Sequence, residues 1–195
     1  DHRDLHSFPT RRSSDLEFKA ETGREVEMEI EPGTFVVANS GHIITRIIDK
    51  KFTNEMNFLI VDGGMELLTR PLLYGSEHPI AIVRQDGTLL SSEYDQAPAA
   101  GLKSFGIVGR CCESGDSVRL DSAGNIVPVE IMEPEIGDYV VIGGTGAYSE
   151  SMSPENYNSH RKPGAVMKTK GGELVLIRKK QVRSQLTENE LDVTL

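Results

Sequence analysis

The densest run of chemically capable side chains is Cys111-Cys112-Glu113-Ser114-Gly115-Asp116. A thiol beside a carboxylate can work as a general acid when its pKa lies near the working pH. As a metal site the motif fails, because there is no second cysteine pair and no histidine at ligand spacing, and no metal is expected. Nucleophilic catalysis would need a histidine partner, and His42, His78 and His160 stand in no recognisable motif. Two small buried side chains remain the plain alternative for the cysteines. A second constellation is Arg70-Pro71-Leu72-Leu73-Tyr74-Gly75. Residues four apart share a helix face, so Arg70 and Tyr74 can act together. A guanidinium fork and a phenol hydroxyl suit a carboxylate. A surface arginine beside a core tyrosine would give the same letters.

Three further motifs are weak singly. Glu31-Pro32-Gly33 ends a short alternating run, Val26, Met28 and Ile30. Pro-Gly is a common turn, yet the C-terminal end of a barrel strand is where barrel enzymes keep functional carboxylates. Gly143-Gly144-Thr145-Gly146-Ala147-Tyr148 lacks the last glycine of a dinucleotide loop and has no following ribose-binding acid, so a Rossmann site is rejected. Its small residues would let Tyr148 and the backbone approach a ligand. Tyr157-Asn158-Ser159 carries no message alone.

The elements that must position these groups are mostly strands. Glu17 to Arg24 reads as a helix stopped at Gly23. Phe35 to Ala38 is apolar. Ile43 to Ile48 fits helix or strand, and Asn57 to Asp62 a buried strand closed by Gly63-Gly64. Met65 to Leu73 has helical spacing broken at Pro71. His78 to Val83, Phe105 to Cys112 and Tyr139 to Ile142 read as strands, with turns at Asp86-Gly87 and Gly137-Asp138. Met152 to Tyr157 is a short helix or loop. Ala165 to Lys170 and Glu173 to Arg178 flank Gly171-Gly172 as a hairpin. Gln181 to Glu190 reads as a polar helix. Strands at this spacing favour a barrel or sandwich, a mainly β (α+β) chain.

The chain has 195 residues, with 30 acids against 21 bases and a formal net charge of -9. That balance argues against nucleic-acid or membrane-surface binding. Mean hydropathy is -0.31, and no apolar run reaches the roughly 20 residues of a membrane span. Adjacent cysteines rarely pair with each other, which points to a reducing, cytoplasmic setting. Residues 1–16, DHRDLHSFPTRRSSDL, have no period and no apolar core for a secretory signal. They resemble the in-frame translation of a sequencing-library adapter ending in a partial leucine codon. The expectation is a non-native or disordered 1–16 and a gene truncated at its 5′ side.

Taken in order, EPG, DGG-Met, RPLLYG, HPI, CESGD, GAY and YN resemble the pyridoxal-phosphate-dependent ornithine/diaminopimelate/arginine decarboxylase family, from about residue 17 to about 190. The resemblance implies a fold-type III enzyme: an N-terminal (β/α) barrel followed by a Greek-key β-barrel. Residues 17–38 would be the last helix and strand of the first barrel, 39–190 the β-barrel domain and 191–195 a tail. The implied cofactor is pyridoxal 5′-phosphate, with Glu31, Gly33 and Tyr148 at it. The implied proton donor is Cys112. Arg70, Tyr74, Glu113 and Tyr148 would bind substrate. Arg70 and Tyr74 would take a distal carboxylate, and Glu113 a distal ammonium. A tail bearing both groups suits meso-2,6-diaminopimelate, giving L-lysine and CO2. Ornithine lacks that carboxylate, and its decarboxylases resemble Cys-Asp-Gly where this chain has Cys-Glu-Ser-Gly-Asp.

The resemblance also implies a homodimer in which Cys112 and Glu113 complete the other subunit's site. The Schiff-base lysine, ring-stacking histidine and phosphate loop would lie upstream, so the chain as written is expected to bind the cofactor poorly and not to decarboxylate. Thr34 departs from the arginine that usually follows EPG, which brings ornithine, D-amino-acid or carboxynorspermidine decarboxylation into play. A natively short β-barrel binding module is the alternative from another class.

Overall fold

The computed structural model describes residues 16–25, 31–94 and 101–193. The chain divides into two units, Asp1–Pro32 and Gly33–Leu195. In the first, helix α1 (16–22) ends where Gly23 turns left-handed at φ +70° and its N–H closes on the Lys19 carbonyl. That matches the expected stop at Gly23. The strand read over Val26 to Ile30 and nearly all of 1–16 lie outside the described residues.

The second unit is a nearly closed seven-stranded barrel. Its strands are β1 (Ile43–Phe52), β2 (Asn57–Val61), β3 (Ile80–Val83), β4 (Leu89–Ser92), β5 (Leu102–Val108), β6 (Val129–Met132) and β7 (Tyr139–Ile142). They run in the order β4-β3-β7-β1-β2-β5-β6. The Met132 N–H donates to Ser91 Oγ at 3.4 Å, drawing the two ends of the sheet together. Ile47, Leu59, Val61, Ile80, Ile82, Phe105, Ile107, Val129, Ile131, Val140 and Ile142 fill the interior, all at most 1% exposed. Alternation in β2 and β7 puts Leu59, Val61, Val140 and Ile142 inside, as a period of two requires. Strand β1 serves two partners. Its first half pairs with β7, its second half with β2, and the register shifts between Ile47 and Asp49.

Short helices α2 (Gly33–Val37) and α3 (Arg70–Tyr74) flank the barrel. A second sheet, strands β8 (Ala165–Lys168) and β9 (Leu174–Arg178), is the hairpin expected around Gly171-Gly172. Several sequence expectations are corrected. The 65–73 segment is not a helix broken at Pro71; residues 64–68 turn, and Pro71 opens α3 near its first position, where the missing N–H costs nothing. Strand β5 stops at Val108, so the cysteines lie in the following loop, not on the strand. The polar helix over 181–190 is only a single 3-10 turn, Arg183–Leu186. Strands β4 and β6 are additional. The fold remains the mainly β barrel that the sequence implies.

Candidate functional site

Topology decides which loops meet. Strand β2 runs parallel to β5, and both β2 and β7 are antiparallel to β1. Strands β2, β5 and β7 therefore point the same way and release their C-terminal ends at one end of the barrel. Those ends lead into 63–74, 109–116 and 143–148, the three segments carrying the sequence motifs.

Asp116 locks two of them together. It is 4% exposed, and its carboxylate accepts the N–H of Met65 at 2.7 Å and of Cys111 at 2.6 Å. Glycine is required on both sides of it. A Cβ on Gly64 would sit 1.9 Å from Asp116 Oδ1, and one on Gly109 2.2 Å from it. Helix α3 rests on the same loop, since a Cβ on Gly115 would lie 2.6 Å from Leu72 Cδ1. The Arg70–Tyr74 helix and the Cys112–Glu113 loop are thus adjoining elements of one chain.

Arg70 is half-buried, with its guanidinium carbon 5.1 Å from the Tyr74 ring centre and 6.0 Å from that of Tyr148. Cation–π attraction holds such an arrangement, and Arg70 Nη1 also reaches Met152 Sδ at 3.7 Å. The structure therefore unites Arg70, Tyr74 and Tyr148 as one cluster. Gly33 joins it from α2: a Cβ there would fall 2.2 Å from the Tyr148 hydroxyl. Tyr148 itself holds φ +54°, and Asn156, Asn158 and Ser159 are also left-handed. Such backbone costs energy in non-glycine residues and is concentrated at functional sites.

Cys112 and Glu113 are exposed on the loop surface. Glu113 accepts a hydrogen bond from the Tyr157 hydroxyl at 3.5 Å and from Ser114 at 3.2 Å. Partial desolvation, then the Glu113 carboxylate and the Cys111 thiol, push the Tyr157 phenol above its ordinary pKa. Tyr157 thus belongs with Glu113, a role its bland local sequence could not signal. Cys111 differs from its neighbour. Burial, then Asp116 and Glu66, push its thiol up to about 12, which keeps it protonated and a poor nucleophile. Sγ lies 3.8 Å from Glu66 Oε2. His160 approaches this same group, so the thiol with a histidine neighbour is Cys111, not Cys112. Glu31 belongs to the N-terminal unit and is exposed there.

Residues 34–146 match the family described as the pyridoxal-dependent decarboxylase, C-terminal sheet domain. The chain is 37% identical over 169 residues to a diaminopimelate decarboxylase of Buchnera aphidicola, covering 87% of this chain and 38% of that protein. It is 38% identical over 169 residues to the diaminopimelate decarboxylase of Escherichia coli K12, with the same coverage. A crystal structure of a diaminopimelate decarboxylase superposes with a TM-score of 0.74 at 34% identity, covering 95% of this chain and 42% of that one. The M. jannaschii diaminopimelate decarboxylase in co-complex with L-lysine gives 0.68 at 27% identity, covering 91% and 36%. This chain spans about two fifths of the length of these relatives. Its barrel, its sequence and its matched relatives agree: the chain belongs to the pyridoxal-dependent decarboxylases, within their C-terminal sheet domain.

Proposed function

We propose that this chain is the C-terminal part of a carboxy-lyase that converts meso-2,6-diaminopimelate to L-lysine and CO2 in the cytoplasm, working as a homodimer. The observation that carries the reading is the packing of α3 against the 109–116 loop, which sets a guanidinium and a thiol–carboxylate pair on adjoining elements. With both presented at one barrel end, two copies facing each other can join the guanidinium of one to the thiol–carboxylate pair of the other around a substrate tail with both a carboxylate and an ammonium. The diaminopimelate decarboxylases among its relatives, at 37–38% identity, support the same substrate.

Pyridoxal phosphate, when bound, supplies the electron sink for the carbanion left by CO2. The residues present fit that group by their chemistry: the Tyr148 hydroxyl, set against the Gly33 backbone where no Cβ could stand, is a hydrogen-bond donor for a phosphate. Tyr148 would hold the cofactor by its hydroxyl, with the Gly33 backbone close by. Glu31 is assigned to the pyridine nitrogen. Arg70 grips the distal carboxylate as a charge-assisted fork, and Tyr74 orients it. Glu113 takes the distal ammonium and is itself aligned by Tyr157. Cys112 holds a proton at Sγ for the substrate carbon. Exposure of Cys112 and Glu113 suits their delivery to a second subunit.

The test is to recover the native gene around this segment and assay its product with meso-diaminopimelate, ornithine and carboxynorspermidine. CO2 release from meso-diaminopimelate is expected, and Arg70→Met should lower kcat/KM by about 100-fold or more, since the unmatched tail carboxylate is left desolvated. Turnover of ornithine alone would overturn the substrate assignment.

A further inference from the structure

Glu66, Cys111 and His160 come from three distant stretches, yet their donor atoms all lie within 4.8 Å of one another. We propose that they form a Zn2+ site with three protein ligands: thiolate, imidazole and carboxylate. The donor set is the kind that zinc takes, and three ligands leave one tetrahedral position open. At Zn–S of about 2.3 Å and Zn–N and Zn–O of about 2.1 Å, tetrahedral donors stand about 3.5 Å apart. Sγ and Glu66 Oε2 are at 3.8 Å and no two donors are farther apart than 4.8 Å, so the donors stand somewhat wider than a bound zinc would hold them and must draw together on the ion.

Each ligand is positioned through its own backbone surroundings. The Glu66 carboxylate accepts the Gly64 N–H at 2.8 Å. The Cys111 N–H is fixed on Asp116 at 2.6 Å. The His160 carbonyl accepts Asn156 Nδ2 at 2.8 Å, and Asn156 is paired with Gln181 at 2.6 Å. A cleft of about 10 Å3, lined in part by Glu66, His160, Arg161 and Lys162, opens beside two of the three ligands. That is room for about one water, the usual fourth ligand of an open zinc site.

Charge supplies an independent argument. Glu66 and Asp116 are 7% and 4% exposed, and among the described residues neither has a lysine or arginine within 4 Å. Buried charges are ordinarily paired or bound to metal. Lys162 lines the cleft, but its ammonium is engaged by Glu150 at 3.3 Å and Glu155 at 2.9 Å. Zn2+ would exchange the Cys111 proton for metal, S–H becoming S–Zn with H+ released to solvent. The thiolate, the Glu66 carboxylate and the dication then sum to zero, while the Asp116 charge stays on its two backbone N–H groups. The site does not depend on the decarboxylase reading.

The purified chain is titrated with Co2+, which reports thiolate ligation by a charge-transfer band and tetrahedral geometry by visible d–d bands. One equivalent is expected to bind, to be displaced by Zn2+ and to release about one proton per metal. Cys111→Ser should abolish the band. His160→Gln, a half-buried loop position tolerant of change, should weaken binding at least about tenfold while the circular dichroism is unchanged. Cys112→Ser should leave the band intact, and urea should remove it, because only the folded chain unites the ligands. No band, a band that follows Cys112, unchanged binding in His160→Gln, or a band that survives urea would each overturn the site.

Discussion

At the scale of single residues, Asp116 does more for this site than any of the groups that would touch a ligand. Its two oxygens hold Met65 and Cys111 by their N–H groups at 2.7 and 2.6 Å, and thereby fix the loop that presents Cys112 and Glu113 against the segment that presents Arg70. Both donors are backbone groups, and bonds to a charged acceptor are individually strong. Asp116→Ala should therefore destabilise the unit by about 2–4 kcal/mol, the sum of a lost charge-assisted pair and two stranded N–H groups. Urea unfolding followed by circular dichroism measures it. A loss below about 1 kcal/mol would mean the loop holds itself without the carboxylate. Glycine at 64 and 109 follows from the same residue, since a Cβ at either would stand within 2.2 Å of its oxygens.

At the scale of elements, the parallel pairing of β2 with β5 is what makes a site possible, because it sends two motif-bearing loops out of the same barrel end. His78 and Gly143 tie β3 to the exit of β7 there. Nδ1 of His78 lies 3.0 Å from the Gly143 carbonyl, so that nitrogen carries the proton, and Nε2 is buried without a partner among the described residues. Burial lowers the His78 pKa, with Arg70 and Arg119 adding to it. The folded state thus binds its proton less readily than the unfolded chain. The contribution of His78 is complete above the unfolded value of about 6.5 and is lost as pH falls below it. Stability should drop between pH 7 and pH 5, and His78→Asn, whose amide can still donate to Gly143, should flatten that slope. An unchanged slope in the urea midpoint would count against a neutral buried imidazole. Much of this layer was legible in advance. An apolar run closed by Gly63-Gly64 marked β2, the Gly137-Asp138 turn announced β7, Gly-Gly marked the last hairpin, and the four-residue spacing put Arg70 beside Tyr74. The turn over 64–68 was not, because buried Met65 and Leu68 repeat at helical distance while Asp116 captures the backbone. Nor was the grouping of Glu66, Cys111 and His160, which no local spacing encodes and only the barrel topology creates.

At the scale of the whole molecule, two terms oppose each other. Hairpin β8–β9 leaves apolar side chains outside on both strands: Val166 is 62% exposed, Leu174 70% and Leu176 60%. Near the α2 and α3 helices, Phe35 and Leu73 are 82% and 53% exposed. Apolar side chains exposed to this degree are ordinarily covered by another surface where they adjoin, as the paired strands of the hairpin do. Against association stands a net charge of -9, which repels like copies at neutral pH over a distance set by salt. The Debye length falls from about 30 Å at 0.01 M to about 3 Å at 1 M, so repulsion is switched off while apolar attraction persists. Light scattering at pH 7 should therefore rise steeply with sodium chloride, and rise again at low salt as pH approaches the pI of about 5.1. Val166 and Leu176 are cross-strand partners, and the double change Val166→Glu, Leu176→Glu removes apolar area while taking the charge from -9 to -11. That variant should remain dispersed at salt concentrations where the parent associates. Equal scattering from both chains would place the sticky surface elsewhere, and a salt-independent signal would show that charge is not what keeps copies apart.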